Sequence, residues 1–239
     1  MKRDVEIIEL PNGDELVIAV DNSGSIGMKP NDYVQVPYEV VSYYNFRVAW
    51  MECVSAGAEP ISIILHNFSG DEAWSSLIKG IKQGMKELNV ENISITGSTE
   101  SNFSLHQSAV GLVIIGQREK SEQENVSFKE RNDLKVAVIG KPLVGHELVN
   151  NQDDIAPLKV FQDLSKLDNV TILPVGSRGI LHELHQLFNK RTFKLETELD
   201  LKKSSGPATC FIVVYPASLK HRVSEKCLGW YHEVRLVSR

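Results

Sequence analysis

Two carboxylates are placed where they could do chemistry. Asp21 ends the apolar run Leu16 to Val20 and leads directly into Asn22-Ser23-Gly24-Ser25-Ile26-Gly27. A Gly-rich loop lets backbone N–H groups approach phosphate closely, and a carboxylate at its start can hold Mg2+. Glu52 falls at helical spacing with Val41, Tyr44, Val48 and Ala56, so it shares an apolar stripe. A carboxylate buried on such a stripe must be paired, protonated or bound to metal. A third segment, Thr96-Gly97-Ser98-Thr99-Glu100-Ser101-Asn102, is dense in small donors and acceptors at a strand end and suits a polyphosphate or its metal. His66 and Asn67 end a continuous apolar run and could orient a reacting hydroxyl. From pattern alone, Asp21 reads first as an acidic turn residue, and Glu52 serves a salt bridge as readily as a metal. The third segment has the composition of any turn, and a lone histidine is as often structural.

These residues depend on a regular framework. Val5–Leu10 and Glu15–Asp21 read as strands joined by the hairpin chemistry of Pro11-Asn12-Gly13-Asp14. Tyr33–Val36 adds a short strand. The stretch from Val40 to Ala56 lacks Gly and Pro and predicts a helix, stopped by Gly57 and Pro60. Ile61–His66 reads as a buried strand. Ser69 and Glu72 have capping-box spacing ahead of a helix whose apolar face is Trp74, Leu77, Ile78, Ile81, Met85 and Leu88. Ile93–Ile95 and Val110–Ile115 are further strands. Residues 121–133 are polar and read as a linker between an N-terminal domain, 1–120, and a C-terminal domain, 134–239. In the latter, strands are expected at Leu134–Ile139, Val170–Leu173, Cys210–Tyr215 and Tyr231–Val237. Helices are expected near Pro157–Leu167 and Ile180–Asn189. The mixed order predicts two α+β domains.

Several functions are disfavoured. A formal charge of −5 argues against nucleic acid as the main partner. No segment approaches the roughly 18–20 apolar residues of a membrane span, and the start lacks a signal-peptide core. The three cysteines, Cys53, Cys210 and Cys227, have no metal-ligand spacing, and a reducing cytoplasm is expected. There is no Walker loop, no Gly-x-Gly-x-x-Gly and no Gly-x-Ser-x-Gly elbow. His182-Glu183-Leu184-His185 is one residue short of the zinc-protease motif.

Taken in order, the segments resemble a superfamily that includes aminoimidazole ribonucleotide synthetase, thiamine-monophosphate kinase, selenophosphate synthetase and the hydrogenase-maturation dehydratase. Leu16-Val17-Ile18-Ala19-Val20-Asp21 is similar to its strand ending in a metal-binding Asp. Val48 to Pro60, with Glu52 and Gly57-Ala58-Glu59-Pro60, is similar to its helix ending in Gly-Ala-x-Pro. Ile95-Thr96-Gly97-Ser98-Thr99 stands where the family has Gly-Gly-(Asp/Glu)-Thr, and Pro174 to Leu184 resembles a C-terminal helix start. The likeness covers residues 1 to 117 best.

The resemblance implies two α+β domains, with N-terminal domains pairing into a β-barrel homodimer. It implies ATP in a cleft and Mg2+ on Asp21 and Glu52, with Asp4 and Glu100 as further ligands. Asn22, Ser23, Gly24, Gly27, Gly97, Ser98 and Thr99 would line the phosphates. His66 and Asn67 would orient the acceptor of a small-molecule kinase. Asp21 to Gly27, Leu65 to Trp74 and Thr96 to Phe103 further resemble a branch associated with α-ribazole kinase of cobalamin salvage. Ser98 replaces the family's acidic residue, and Arg178 departs from its Asp or Gly. Amide or carbonyl activation by ATP, and a non-catalytic ATP-binding dimer, are the alternatives.

Overall fold

The computed structural model describes residues 4–120, 133–188 and 194–237. The chain divides into two compact units, one spanning Arg3–Lys120 and the other containing Ser121–Arg239. Apart from Asp133, the expected linker lies outside the described residues.

The first unit is an open five-stranded sheet with two helices on one face. Its elements are β1 (Val5–Glu9), β2 (Asp14–Gly24), β3 (Ile26–Gly27), β4 (Val34–Gln35), α1 (Tyr38–Ser55), β5 (Glu59–Asn67), α2 (Trp74–Glu87), β6 (Ser94–Thr99) and β7 (Ala109–Glu119). The sheet order is β1-β2-β7-β5-β6, and β3 pairs with β4 in a separate two-stranded ladder. All neighbours in the large sheet run antiparallel except β5 and β6. Alternation sets the two faces. Val17 and Ala19 of β2, Ile63 and Leu65 of β5, and Leu112 and Ile114 of β7 are buried under the helices. Leu16, Ile18, Ile64, Val113 and Ile115 point the other way and stay half-buried.

α1 lies along β2 in the opposite direction. At one end Asn45 Nδ2 donates to Ser23 Oγ at 3.5 Å. At the other, Arg118 bonds Glu15 Oε2 at 2.7 Å and donates to the Ala56 carbonyl, tying down the helix C-terminus. α2 crosses α1 where two glycines permit close approach. A Cβ on Gly80 would stand 2.0 Å from the Glu39 carbonyl oxygen, and one on Gly84 2.3 Å from Phe46 Cδ1.

The second unit contains β8 (Leu134–Ile139), α3 (Glu147–Asn150), α4 (Leu158–Ser165), β9 (Thr171–Pro174), α5 (Gly179–Leu187), β10 (Lys194–Glu196), β11 (Phe211–Pro216), α6 (Lys220–Lys226) and β12 (Tyr231–Val237). Its antiparallel sheet has the order β10-β12-β8-β11-β9. All six residues of β11 are buried, as expected of a strand covered on both faces. Ile180, Leu184 and Leu187 of α5 pack on Val136, Val138 and Ile212, while Phe161 of α4 meets Phe211 edge to face. The protein is thus α+β throughout.

Three local expectations are corrected. β2 continues through Asn22–Gly24, because those residues pair with Gly111, Val110 and Ala109 of β7; the loop begins only at Ser25. β6 likewise continues through Gly97–Thr99, in register with Leu65, His66 and Asn67. Ser69 caps no helix: its N–H donates to Asn67 Oδ1 at 2.9 Å and its hydroxyl to the Ala109 carbonyl at 3.2 Å. A short 3-10 turn, Asp71–Ala73, intervenes before α2.

Candidate functional site

Sheet register gathers most of the singled-out residues at one end of the first unit. Three rows cross the sheet: Gly97–Leu65–Leu112–Asp21, Ser98–His66–Gly111–Asn22, and Thr99–Asn67–Val110–Ser23. Gly24 closes β2 opposite Ala109. Asp4, exposed, precedes Val5, which pairs with Ala19 and so lies at the same end.

The rows alternate in direction. Asp21, Ser23, Asn67 and Thr99 share the helix-covered face, whereas Asn22, His66 and Ser98 occupy the open one. The His66 side chain lies over Gly111, where an added Cβ would meet His66 Cβ at 3.5 Å. A ligand touching both Asp21 and His66 must therefore lie across the end of the sheet.

Asp21 is half-buried, and burial pushes its carboxyl up from 3.8 to about 7 against the lowering effect of a hydrogen bond from the Asn22 backbone. No described basic side chain forms an ion pair with it. Such a carboxylate lacks positive charge nearby, the deficit a divalent cation fills. Glu52, also half-buried, follows Asn45 by seven residues, nearly two helical turns, so it lies on the same side of α1. It is displaced from the Asn45–Ser23 contact by about 10 Å along the helix. Asp21 is displaced in the same direction by about 7 Å along β2. Among the described residues, no three His, Cys, Asp or Glu side chains gather as a ready-made metal cage. Mg2+ in nucleotide sites needs only one or two carboxylates, with phosphate and water completing its shell. Asp21 answers that requirement by its chemistry, and Glu52 lies at a similar offset on the helix that runs along β2.

Glu100 and Asn67 are engaged in neighbouring turns. Glu100 Oε1 accepts the N–H groups of Asn102 at 2.7 Å and Phe103 at 3.2 Å, closing its own turn. Asn67 is buried; its amide donates to the Gly70 carbonyl at 2.7 Å and Thr99 Oγ1 at 3.1 Å. That geometry makes Asn67 a brace for two turns and leaves the exposed His66 as the residue able to meet an acceptor. Gly27 is packed tightly: a Cβ there would stand 2.5 Å from Ser108 Oγ and 2.7 Å from Tyr38 Cε1.

Asp32 was not singled out from the sequence, where Asn31-Asp32 reads as an ordinary turn. It is 7% exposed and joins the two loops at this end. Its carboxylate accepts Ser108 N and Ser108 Oγ, both at 2.6 Å, and Lys29 N at 2.9 Å. Burial raises its pKa, but these hydrogen bonds and the Lys29 charge together outweigh burial and hold it below the ordinary value. Its partner lies 76 residues away, so no local pattern signals the pair.

No family profile and no curated protein matches the chain by sequence. Its structure does have counterparts. HypE, in a HypE–HypF complex, superposes with a TM-score of 0.63 at 14% identity, covering 99% of this chain and 93% of the other. Thiamine monophosphate kinase from Aquifex aeolicus gives 0.63 at 13% identity, over 98% and 89%. Phosphoribosylformylglycinamidine synthase II from Thermotoga maritima gives 0.58 at 13% identity, over 99% of this chain and 37% of that one. At these identities the likeness is one of fold, shared with HypE, thiamine monophosphate kinase and the synthase. Among the described residues, no helix is long and apolar enough to cross a membrane.

Proposed function

We propose that this protein is an ATP- and Mg2+-dependent phosphotransferase acting on a small molecule in the cytoplasm, with α-ribazole as the acceptor to try first. The observation that carries this reading is the register that collects Asp21, Asn22, Ser23, His66, Ser98 and Thr99 at one sheet end. The fold supports it: a thiamine monophosphate kinase of this fold is known in complex with AMPPCP and TMP, and the Thermotoga maritima synthase in complex with ATP.

In this reading Asp21 and Glu52 hold Mg2+, with Asp4 and Glu100 as outer candidates. The metal would offset charge on the phosphates as the γ-phosphoryl group leaves. Ser23, Thr99 and Ser98 offer hydroxyl donors. Gly24, where a Cβ would meet nothing within 4 Å, leaves its backbone open to the phosphates, while Gly27 and Gly97 let the backbone pack closely against Ser108 and the Leu65 carbonyl beneath them, and Asn22 contributes its amide. His66 orients the acceptor hydroxyl, whose oxygen bonds to the γ-phosphorus as the bond to ADP breaks. Phosphorus NMR of protein, Mg·ATP and α-ribazole tests this: ADP and a phosphate monoester should appear together. Unchanged ATP, with acceptor present, contradicts it.

The likeness to the synthase favours one alternative, in which ATP activates an amide or carbonyl oxygen. The same spectra separate the two, because that chemistry yields ADP and free phosphate with no lasting ester.

Metal binding should depend on pH. Mg2+ needs Asp21 ionised, and in the free protein its carboxyl is protonated below about 7. Mg·ATP affinity should therefore rise by up to about tenfold per pH unit as pH climbs towards 7, then level off. Asp21→Asn should flatten this profile. The sign for stability is opposite: the folded state keeps a proton that the unfolded state loses above 3.8, so Asp21 weakens the metal-free protein as pH rises to about 7. Titration calorimetry across this range checks the first effect and denaturant melts the second.

We further propose that two copies pair through the open face of the first sheet. Val20 is 53% exposed there and Ile8 43%, beside half-buried Leu16, Ile18, Val113 and Ile115. Light scattering should report a dimer that Ile18→Lys with Val113→Lys converts to monomer. A wild-type monomer at every concentration contradicts the pairing.

A further inference from the structure

We propose that the loops 25–36 and 100–108 together form a stacking platform for a planar heteroaromatic base, with Tyr33 and Phe103 as its ring contacts. The proposal rests on the nucleotide reading above and adds the part of the ligand that phosphate-holding residues do not explain.

Tyr33 is 83% exposed and Phe103 78%, with Met28 and Leu105 exposed in the same two loops. Large apolar side chains left in water mark binding surfaces when they are grouped. Here the two loops are fastened together. Lys29 Nζ donates to the Leu105 carbonyl at 2.8 Å, and Gln107 Nε2 to the Asn31 carbonyl at 2.7 Å. The buried Asp32 clasp on Ser108 locks the same pair of loops.

Both aromatic residues are anchored next to the rows that carry the candidate phosphate contacts. Tyr33 N donates to the Ser25 carbonyl at 2.7 Å, and Ser25 directly follows Gly24. Phe103 N donates to Glu100 Oε1 at 3.2 Å. Glu100 directly follows Thr99, and its own N–H donates to the Asn67 carbonyl at 2.8 Å. Each loop thus carries an exposed aromatic side chain and a hydrogen-bonded link to the strand ends that bear the candidate phosphate contacts.

Charge narrows the ring type. Lys29, Asp32 and Glu100 are the fully charged side chains of the two segments, and each is spent on the loop contacts just described. The platform therefore presents uncharged aromatic faces, which suit a neutral heterocycle. That ring is either the base of the nucleotide or the aromatic part of a riboside acceptor.

The experiment is titration calorimetry of the full chain with Mg·ATP, Mg·tripolyphosphate and α-ribazole. Wild type is compared with Tyr33→Ala, Phe103→Ala and Tyr33→Phe. The alanine variants should lose on the order of tenfold in affinity for a ring-bearing ligand, keep tripolyphosphate binding, and be rescued at position 33 by phenylalanine. Loss confined to Mg·ATP assigns the platform to the nucleotide base; loss confined to α-ribazole assigns it to the acceptor. Wild-type affinity for both ring ligands in both alanine variants overturns the proposal. So does an equal loss for tripolyphosphate, or a change of oligomeric state with ligand affinity intact. Failure of wild type to bind either triphosphate species overturns the nucleotide reading itself, and the platform with it.

Discussion

Asp21→Asn should lower turnover by on the order of 10²–10³-fold while leaving the metal-free protein folded and, at pH 8, no less stable than wild type. The two halves of that result distinguish a metal ligand from a structural carboxylate. Asp21 sits half-buried on the helix-covered face with its carboxyl pushed up to about 7, a state that costs stability when ionised. Its position is therefore not explained by folding. Asparagine keeps the shape and removes the charge, so Mg2+ loses a ligand while the sheet keeps its register. Glu52→Gln should act in the same direction from α1, and the double variant should fall well short of the product of the two single losses, because in the proposed site both carboxylates serve one metal. Steady-state ADP release, paired with thermal melts of the same preparations, checks both. Undiminished turnover in the two single variants removes the site.

Gly80→Val should be the most damaging change to the framework. An added Cβ stands 2.0 Å from the Glu39 carbonyl oxygen, 2.2 Å from Ser42 Oγ and 2.8 Å from the Glu39 carbonyl carbon. Two of those atoms are backbone, so no rotamer change relieves the clash and α2 must move off α1. Overpacking of this kind costs about 1–3 kcal/mol, and a backbone obstacle puts it at the upper end. For a unit of this size the melting temperature should fall by on the order of 10 °C. α1 carries Glu52, so nucleotide affinity should fall as well. Gly24→Ala is the control: a Cβ there has nothing within 4 Å, so stability should hold. A melt of Gly80→Val that overlays the wild type contradicts this packing.

The sequence made the long elements plain and hid the contacts that build the site. α1 announced itself by the absence of breakers from Val40 to Ala56, and β5 by its apolar run, because each pattern is local. Asn22–Gly24 and Gly97–Thr99 carry turn residues and read as loops. They are strands because β7 and β5 supply ladder partners, a tertiary choice that overrides local preference. Ser69 and Glu72 have the spacing of a capping box, yet Asn67 takes the Ser69 N–H and the turn closes differently. α3, α6 and β10 are too short to show a period. Asp32 was invisible as a loop clasp, since its meaning comes from Ser108 in a distant loop. Arg47 gave no sign that it would be 1% exposed beneath the helices. The resemblance placed the candidate carboxylates in order along the chain, but only register could tell which side chains share a face.

The proposed site joins Asp21 and Glu52 to a triphosphate through a divalent cation at the end of the first sheet. A crystal structure of the protein with Mg2+ and a non-hydrolysable ATP analogue measures this directly. In the proposed site, carboxylate oxygens of Asp21 and Glu52 should lie about 2.1 Å from metal that also touches phosphate oxygens. Phosphates bound elsewhere, or metal that leaves Asp21 untouched, would contradict it.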